Sequence, residues 1–321
     1  FLDDDRTPRS LSALAASPSD PPRKRAAARL VLKTPDLELR CARLDASFHE
    51  RSAEIASVTA SGDVWARIPG EGFTVHCETL RMDTPPGSPD FTAVFSPGPG
   101  VTRVELAGKG FAASTGRSTL ARKKDALVLD GADIDVFFDT KPGRTILPPA
   151  LDELRASRLN VRAASFRFEP DRHSFAFSGG SELRFGALGV RARDMLLLTD
   201  AENRLPSSLS ASGKPAALRW KGMELDSLSL RFDFSQKGEL ARFTARGETS
   251  VRVADADGRR IEADCSSAVW EADRIVMTGE PDVIIRVPSR KLLIRERKSE
   301  FFLKNGRWEH RGEGSRTEIG R

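Results

Sequence analysis

The chain has 321 residues, with 51 Lys and Arg against 46 Asp and Glu, so its net charge is +5. Its 39% apolar and 30% charged content is that of a globular protein, and no apolar run reaches the roughly 18 residues of a membrane-crossing helix. Part of the positive excess sits in one run, Arg23-Lys24-Arg25 through Arg29, which is not the concentrated basic face of a nucleic-acid binder. The sequence does not begin with Met. A processed product, with a signal peptide or anchor helix removed, is therefore expected.

Residues 1–35 read as a flexible linker or tail. They hold Asp3-Asp4-Asp5, the Pro-rich stretch Ser17-Pro18-Ser19-Asp20-Pro21-Pro22 and the basic run. A short helix over 10–16 would be marginal alone. From residue 36 to 321 one continuous domain is expected, and its pattern has period 2. Leu37, Leu39 and Cys41 alternate with Glu38 and Arg40; Phe73, Val75 and Cys77 alternate with Thr74 and His76. Such alternation predicts half-buried β-strands. Pro85-Pro86-Gly87, Pro97-Gly98-Pro99-Gly100 and Asp255-Ala256-Asp257-Gly258 mark turns between them. One short helix is predicted over 148–157, with Pro in its first turn. A subdivision of the domain would fall near 141–158.

The strands repeat. If the first inward residue of a copy is position n, small or apolar residues recur at n, n+2, n+4, n+7 and n+9. Leu37-Leu39-Cys41-Leu44-Ala46, Phe73-Val75-Cys77-Leu80-Met82 and Leu159-Val161-Ala163-Phe166-Phe168 are clear copies. So are Leu188-Val190-Ala192-Met195-Leu197 and Ile261-Ala263-Cys265-Ala268-Trp270, while Met223-Leu225-Ser227-Leu230-Phe232 has one polar member. Degraded copies start at Phe111 and Leu292. About eight repeats thus follow at a mean step of about 36 residues. Between n+4 and n+7 the inward parity flips, which no straight strand permits, so a bulge or corner is predicted there, at the same offset in most copies. Each repeat reads as strand, corner, strand and return. Gly62, Gly247 and Gly279 would allow a bend where the return begins.

All three cysteines, Cys41, Cys77 and Cys265, occupy n+4, and no CxxC pair exists. Zinc-ribbon and thioredoxin-type sites are excluded. In a simple rung stack Cys41 and Cys77 would lie on adjacent strands, within disulfide range; small buried thiols are the alternative.

A rung reading apolar-x-Ala-Asp, followed about ten residues later by Gly-x-Val, resembles the OstA-like family of lipopolysaccharide transport. That family includes the periplasmic bridge LptA, the membrane-anchored LptC and the N-terminal domain of LptD. The residues that carry the resemblance are Ile261-Glu262-Ala263-Asp264-Cys265 with Gly279-Glu280-Pro281-Asp282-Val283, and Leu39-Arg40-Cys41-Ala42-Arg43-Leu44-Asp45 with Gly62-Asp63-Val64. The resemblance implies an all-β, elongated, stacked-rung β-jellyroll of two facing, twisted antiparallel sheets. It also implies a periplasmic location, with an anchor in the inner membrane upstream of the chain as one arrangement. The cargo would be lipopolysaccharide or another lipid. The partners would be other OstA-like β-proteins docking on unpaired edge strands.

On that reading the inward residues Leu39, Val75, Met82, Phe166, Phe168, Val190, Met195, Leu197, Leu225, Leu230, Phe232, Ile261 and Trp270 would line a lipid groove; otherwise they form a closed core. Arg290, Lys291, Arg295 and Arg297 would meet anionic headgroups, or they would simply protect an edge from aggregation. His49, His76, His173 and His310 have no ligand-spaced partner in sequence, so no metal site is expected. Asp133 and Asp135 read as a solvated face. GxSxG, P-loop and GxGxxG motifs are absent, so neither enzyme activity nor a cofactor is expected. The function expected is a non-enzymatic lipid-transport or bridge component. The alternative is an adaptor solenoid with a closed core that binds proteins through its edges. A carbohydrate-active β-helix fits poorly, because Tyr is absent and aromatics are only 7%.

Overall fold

In a computed structural model, residues 10–14, 30–33, 38–50, 54–68, 72–108, 111–124, 126–138, 159–201, 205–236, 240–254, 258, 260–271, 274–304, 307–313 and 316–319 are described. The helix predicted over 148–157 and the segment 141–158 lie outside them. The described residues form antiparallel strands with two short 3-10 turns. They belong to two compact units. Unit 1 comprises residues 1–157, 162–175 and 201–204, and unit 2 comprises 158–161, 176–200 and 205–321.

Unit 1 is a stack of rungs, each broken once into two arms. Its outermost described rung is β1 (Ser10–Leu14) and β2 (Leu30–Lys33), paired respectively with β4 (Arg43–Phe48) and β3 (Glu38–Cys41). Part of the expected linker is therefore strand. Residues 10–14 form no helix, because five residues cannot sustain one in isolation while β4 offers a ladder of backbone partners. The long β5 (Ile55–Ile68) pairs with β4 along its first half and β3 along its second, and then with β6 (Phe73–Asp83). The next rungs are β7 (Phe91–Ser96) with β8 (Val104–Gly108), β10 (Arg117–Lys123) with β9 (Phe111–Thr115), and β11 (Ala126–Phe138).

The break falls where the parity argument places it. In β6, Phe73, Val75 and Cys77 point inward, then Leu80; Glu78 and Thr79 form the step. Opposite Glu78, β5 carries one extra residue: Ser61 pairs with Thr79 and Val64 with Cys77, so Gly62 and Asp63 bulge. Both have positive φ, +81° and +51°, a conformation that favours Gly and tolerates Asp. Ala42 lies between β3 and β4, and its amide donates to the Ser61 and Gly62 carbonyls at 3.1 Å. Gly116 does the same to Ala132 at 3.0 Å. The corner therefore runs from rung to rung, and the arms on its two sides form two facing sheets.

The return also crosses the corner. Each repeat thus supplies two strands to the stack, each crossing the corner. Consequently β5 separates the strands of Cys41 and Cys77, and two strand spacings, roughly 9–10 Å, exceed disulfide reach. Both thiols are free and buried, as is Cys265.

Unit 2 repeats this plan. Strands β12 (Leu159–Glu169) and β13 (Ser174–Ser178) have residues in both units. Unit 2 contains β14 (Ser181–Phe185), which pairs with β15 (Leu188–Ala192), then β16 (Asp194–Thr199), β17 (Pro206–Trp220), β18 (Met223–Phe234), β19 (Leu240–Ala254) and β20 (Arg260–Glu271). Then come β21 (Arg274–Val287) and β22 (Leu292–Lys304), which pairs with β23 (Arg307–Glu313) and β24 (Arg316–Ile319). Register shifts recur at the same place: Gly247 and Glu248 bulge against Ser266, with φ of +77° and +36°.

Outward faces carry cross-strand ion pairs, including Arg167–Asp130 in unit 1 and Arg252–Asp226 and Arg286–Asp264 in unit 2. The carboxylate of Asp133 accepts from Arg103 at 2.7 Å, and that of Asp135 from Arg162 at 3.3 Å.

Candidate functional site

The n+9 column decides where the interior is filled. Through cross-strand pairing in unit 2 it forms one row: Leu197, Leu209, Phe232, Phe243, Trp270, Ile275 and Phe301. Every member is buried, and Trp270 meets Trp220 of the facing arm edge-on at 4.8 Å. Aromatic bulk closes the space between the arms. The matching row in unit 1 reads Ala46, Val58, Met82, Ala93 and Leu120. None of these side chains is aromatic.

A cavity of about 380 Å³ lies there. Its deep wall is Val58, Leu80, Ala93, Phe95 and Leu120 from one sheet and Ala66 from the other, and all six are buried. Ile55, Ile68, Met82, Phe91 and Leu32 line it farther from the corner. Among the described residues, the charged or hydroxyl-bearing side chains in the lining are Glu54, Thr84, Ser88 and Arg122. A concave, chiefly apolar cleft with a few polar groups is the ordinary form of a small-ligand site, typically about 300–1,000 Å³.

The rim is fixed by the β6–β7 connection. The Thr84 amide donates to the Ala56 carbonyl at 2.9 Å, and His49 Nε2 lies 2.9 Å from the Thr84 carbonyl oxygen. The Gly87 amide donates to Glu54 Oε2 at 3.1 Å, and the Asp90 amide to Ser88 Oγ at 3.1 Å. Pro85, Pro86 and Pro89 restrict what remains. Arg122 places its guanidinium carbon 5.4 Å from the centre of the Phe91 ring.

Of the thirteen residues expected to line a groove, Met82 borders this cavity. Leu39, Val75, Phe166, Phe168, Val190, Met195, Leu197, Leu225, Leu230, Phe232, Ile261 and Trp270 are buried in the packed interiors of their units. Arg290, Lys291, Arg295 and Arg297 are exposed, the first two at a 3-10 turn and the others on β22. The sequence reading overlooked Val58, Ala93, Thr84 and Arg122. Comparing the n+9 column, with Ala46 and Met82 early and Phe168, Phe232, Trp270 and Phe301 late, would have located the void.

Two histidine clusters escaped the sequence for another reason: their partners are distant in the chain. His76 lies between carboxylates, 2.7 Å from Asp63 through Nε2 and 3.0 Å from Glu105 through Nδ1, and stacks on Trp65 with centroids 4.2 Å apart. His310 Nε2 is 3.2 Å from the buried Glu296 and 2.8 Å from Ser299. One nitrogen serves both contacts, so a Ser-His-Glu relay, which needs both ring nitrogens, is not formed. Among the described residues no three or more His, Cys, Asp or Glu side chains are grouped to hold a metal ion. No described helix is long and apolar enough to cross a membrane.

No protein-family model matches the sequence, and no curated protein does. Among solved structures the chain is similar to LptH of Pseudomonas aeruginosa, the LptA homologous periplasmic component of the conserved lipopolysaccharide transport device. Identity is 11%, coverage is 51% of this chain and 95% of that one, and the TM-score is 0.23. Similarity at that level carries no functional argument.

Proposed function

We propose that this protein is a non-enzymatic carrier or bridge for lipid in the periplasm, and that it holds alkyl chains between its two sheets. The observation that carries the reading is the apolar cavity of unit 1, left open where the row facing the opposite sheet is Val58, Met82 and Ala93. Burial of an alkyl chain there is favourable by about 25 cal/mol per Å² removed from water. Lipopolysaccharide is the cargo named by the resemblance of the rungs to OstA-like proteins. The same resemblance supports other OstA-like proteins as partners. Strands β1 and β2 at one end of unit 1, and β23 and β24 at one end of unit 2, each show a single described partner strand, and such edges accept added strands.

The packed interior of unit 2 favours an adaptor role for that part. Its inward row is rich in aromatic rings, and its cleft of about 490 Å³ is bordered by Arg219, Lys221, Glu224, Arg252 and Arg260.

The test is gentle purification followed by native mass spectrometry and lipid extraction, for wild type and Ala93→Phe. Ala93 pairs with Met82 and Leu120, so a phenyl ring there fills the void as Phe243 does in unit 2. Lipid retained by wild type and lost in Ala93→Phe is expected. A wild-type chain that carries no lipid and takes up none of the added lipopolysaccharide would refute the carrier reading.

A further inference from the structure

The β6–β7 connection, residues 84–90, is held differently from the strands it joins. β6 and β7 have ladder partners on both sides, and their inward side chains Leu80, Ala93 and Phe95 are buried. No residue of 84–90 is buried, and Pro85, Pro86, Gly87 and Pro89 are exposed. Few buried apolar contacts and exposed backbone bonds mark the parts of a protein that open locally. Yet Thr84, Pro85, Ser88 and Pro89 line the cavity. They follow Leu80 and Met82 along β6 and precede Phe91 and Ala93 along β7. The connection is therefore a strap across the end of the cavity farthest from the corner.

Polar bonds fasten the strap. At its start the Thr84 amide donates to the Ala56 carbonyl, and the Thr84 carbonyl accepts from His49 Nε2, both at 2.9 Å. At its end Asp90 Oδ1 accepts the Lys124 amide at 3.0 Å. Midway, the Gly87 amide donates to Glu54 Oε2 at 3.1 Å. Gly87 has φ of +64° and open space around it, so the midpoint is held by that bond and not by packing. Three prolines stiffen the segments between these points. One group opposes closure. Thr84 Oγ1 is buried without a hydrogen-bond partner among the described residues. An unpaired buried hydroxyl is costly, and lifting the strap would give it water.

Resting on the lipid-carrier reading, we infer that residues 84–90 are a latched gate: an alkyl chain enters and leaves the cavity when the Gly87–Glu54 bond opens and the strap lifts. Glu54 is the latch. The Thr84 hydroxyl keeps the closed state from being locked.

The test uses the whole chain as wild type, Glu54→Ala and Thr84→Val. Hydrogen exchange read by mass spectrometry on the ligand-free protein should show the 84–90 peptide exchanging about 100-fold faster than 73–83. Glu54→Ala should speed strap exchange about 10-fold, the worth of one bond to a charged acceptor. Thr84→Val should slow it, and 73–83 should not change in either variant. Stopped-flow mixing with the fluorescent fatty acid parinarate, below its micelle concentration, then reads entry and exit. Glu54→Ala should raise the association and dissociation rates together, and Thr84→Val should lower both. A group that merely lines the bound chain would alter dissociation alone. Strap exchange in wild type as slow as that of 73–83, shifts of the same sign in the two variants, or association rates that do not follow strap exchange would overturn the gate, and parinarate binding by wild type would leave the carrier reading standing. If wild type takes up no parinarate, the carrier reading fails and the gate falls with it.

Discussion

Raising the pH tests the buried thiols and, with them, the inward n+4 column. Burial pushes the pKa of Cys77 and of Cys265 up to about 12 from 9.0, and it moves Cys41 in the same direction. A thiol released by unfolding ionises near 8.5–9. Below that pH both states hold the proton, and the stability contribution is fully present. Between about pH 9 and 12 only the unfolded state loses its proton, so stability falls by about 1.4 kcal/mol per pH unit for each thiol. At pH 10, one unit up, Cys77 and Cys265 together cost roughly 3 kcal/mol. The chain has no Tyr, which removes the group that ordinarily complicates this range. Alanine occupies the same inward position at Ala163 and Ala192, so Cys77→Ala and Cys265→Ala are tolerable replacements. Urea unfolding followed by Trp fluorescence at pH 8 and pH 10 gives the loss. It should be smaller in the double variant than in wild type by about 3 kcal/mol. An equal loss in both proteins would refute the argument, as would alkylation of Cys77 in the native protein at pH 8 at the rate of a free thiol.

Three further substitutions test the packing. Phe175 is buried against Phe111, Phe138 and Phe168, with centroids 4.2–5.2 Å away; Phe175→Ala should cost about 3–5 kcal/mol in chemical denaturation, and a loss under 1 kcal/mol would contradict the cluster. Gly62 has φ of +81°, and a Cβ built on it would lie 2.8 Å from Ala42 Cβ. Gly62→Ala should therefore exceed the roughly 1–2 kcal/mol conformational cost that Gly87→Ala, with φ of +64° and open space around it, pays alone; equal losses would remove the corner contact from the account. His310→Phe leaves the carboxylate of Glu296 buried and should cost about 3–5 kcal/mol. Adding Glu296→Ala should then restore part of that loss, whereas simple additivity in the double-mutant cycle would show that the pair is not coupled.

The corner was legible because parity is local. Cys77 and Leu80, or Cys265 and Ala268, are three residues apart, and both being inward forces a step between them whatever the neighbouring strand does. The partner of a strand is not local. Nothing within Gly62-Asp63-Val64 says that the return runs through the same corner. The same holds for His76, whose carboxylates lie 13 and 29 residues away. It holds for β1 as well, since Ser10–Leu14 becomes a strand only because β4 has a free side to offer it.

The cavity lies between these extremes. Alternation shows that Met82 and Trp270 point inward, and by that criterion they are equivalent. What distinguishes them is reach. Trp270 crosses the interior to Trp220, and Phe168 crosses it to Phe111 at 5.2 Å, so in each case the sheets are bridged. Met82 has only Val58 and Ala93 beside it in its own row, and neither is aromatic. A one-dimensional repeat lets adjacent rungs differ in this way without changing the backbone, because each rung needs only its neighbours to hold register. The volume of one column, read down the repeats, therefore converts a periodic core into a closed segment and an open one. Replacing Ala93 by Phe moves unit 1 from the second condition to the first while leaving the ladder of β6, β7 and β10 intact.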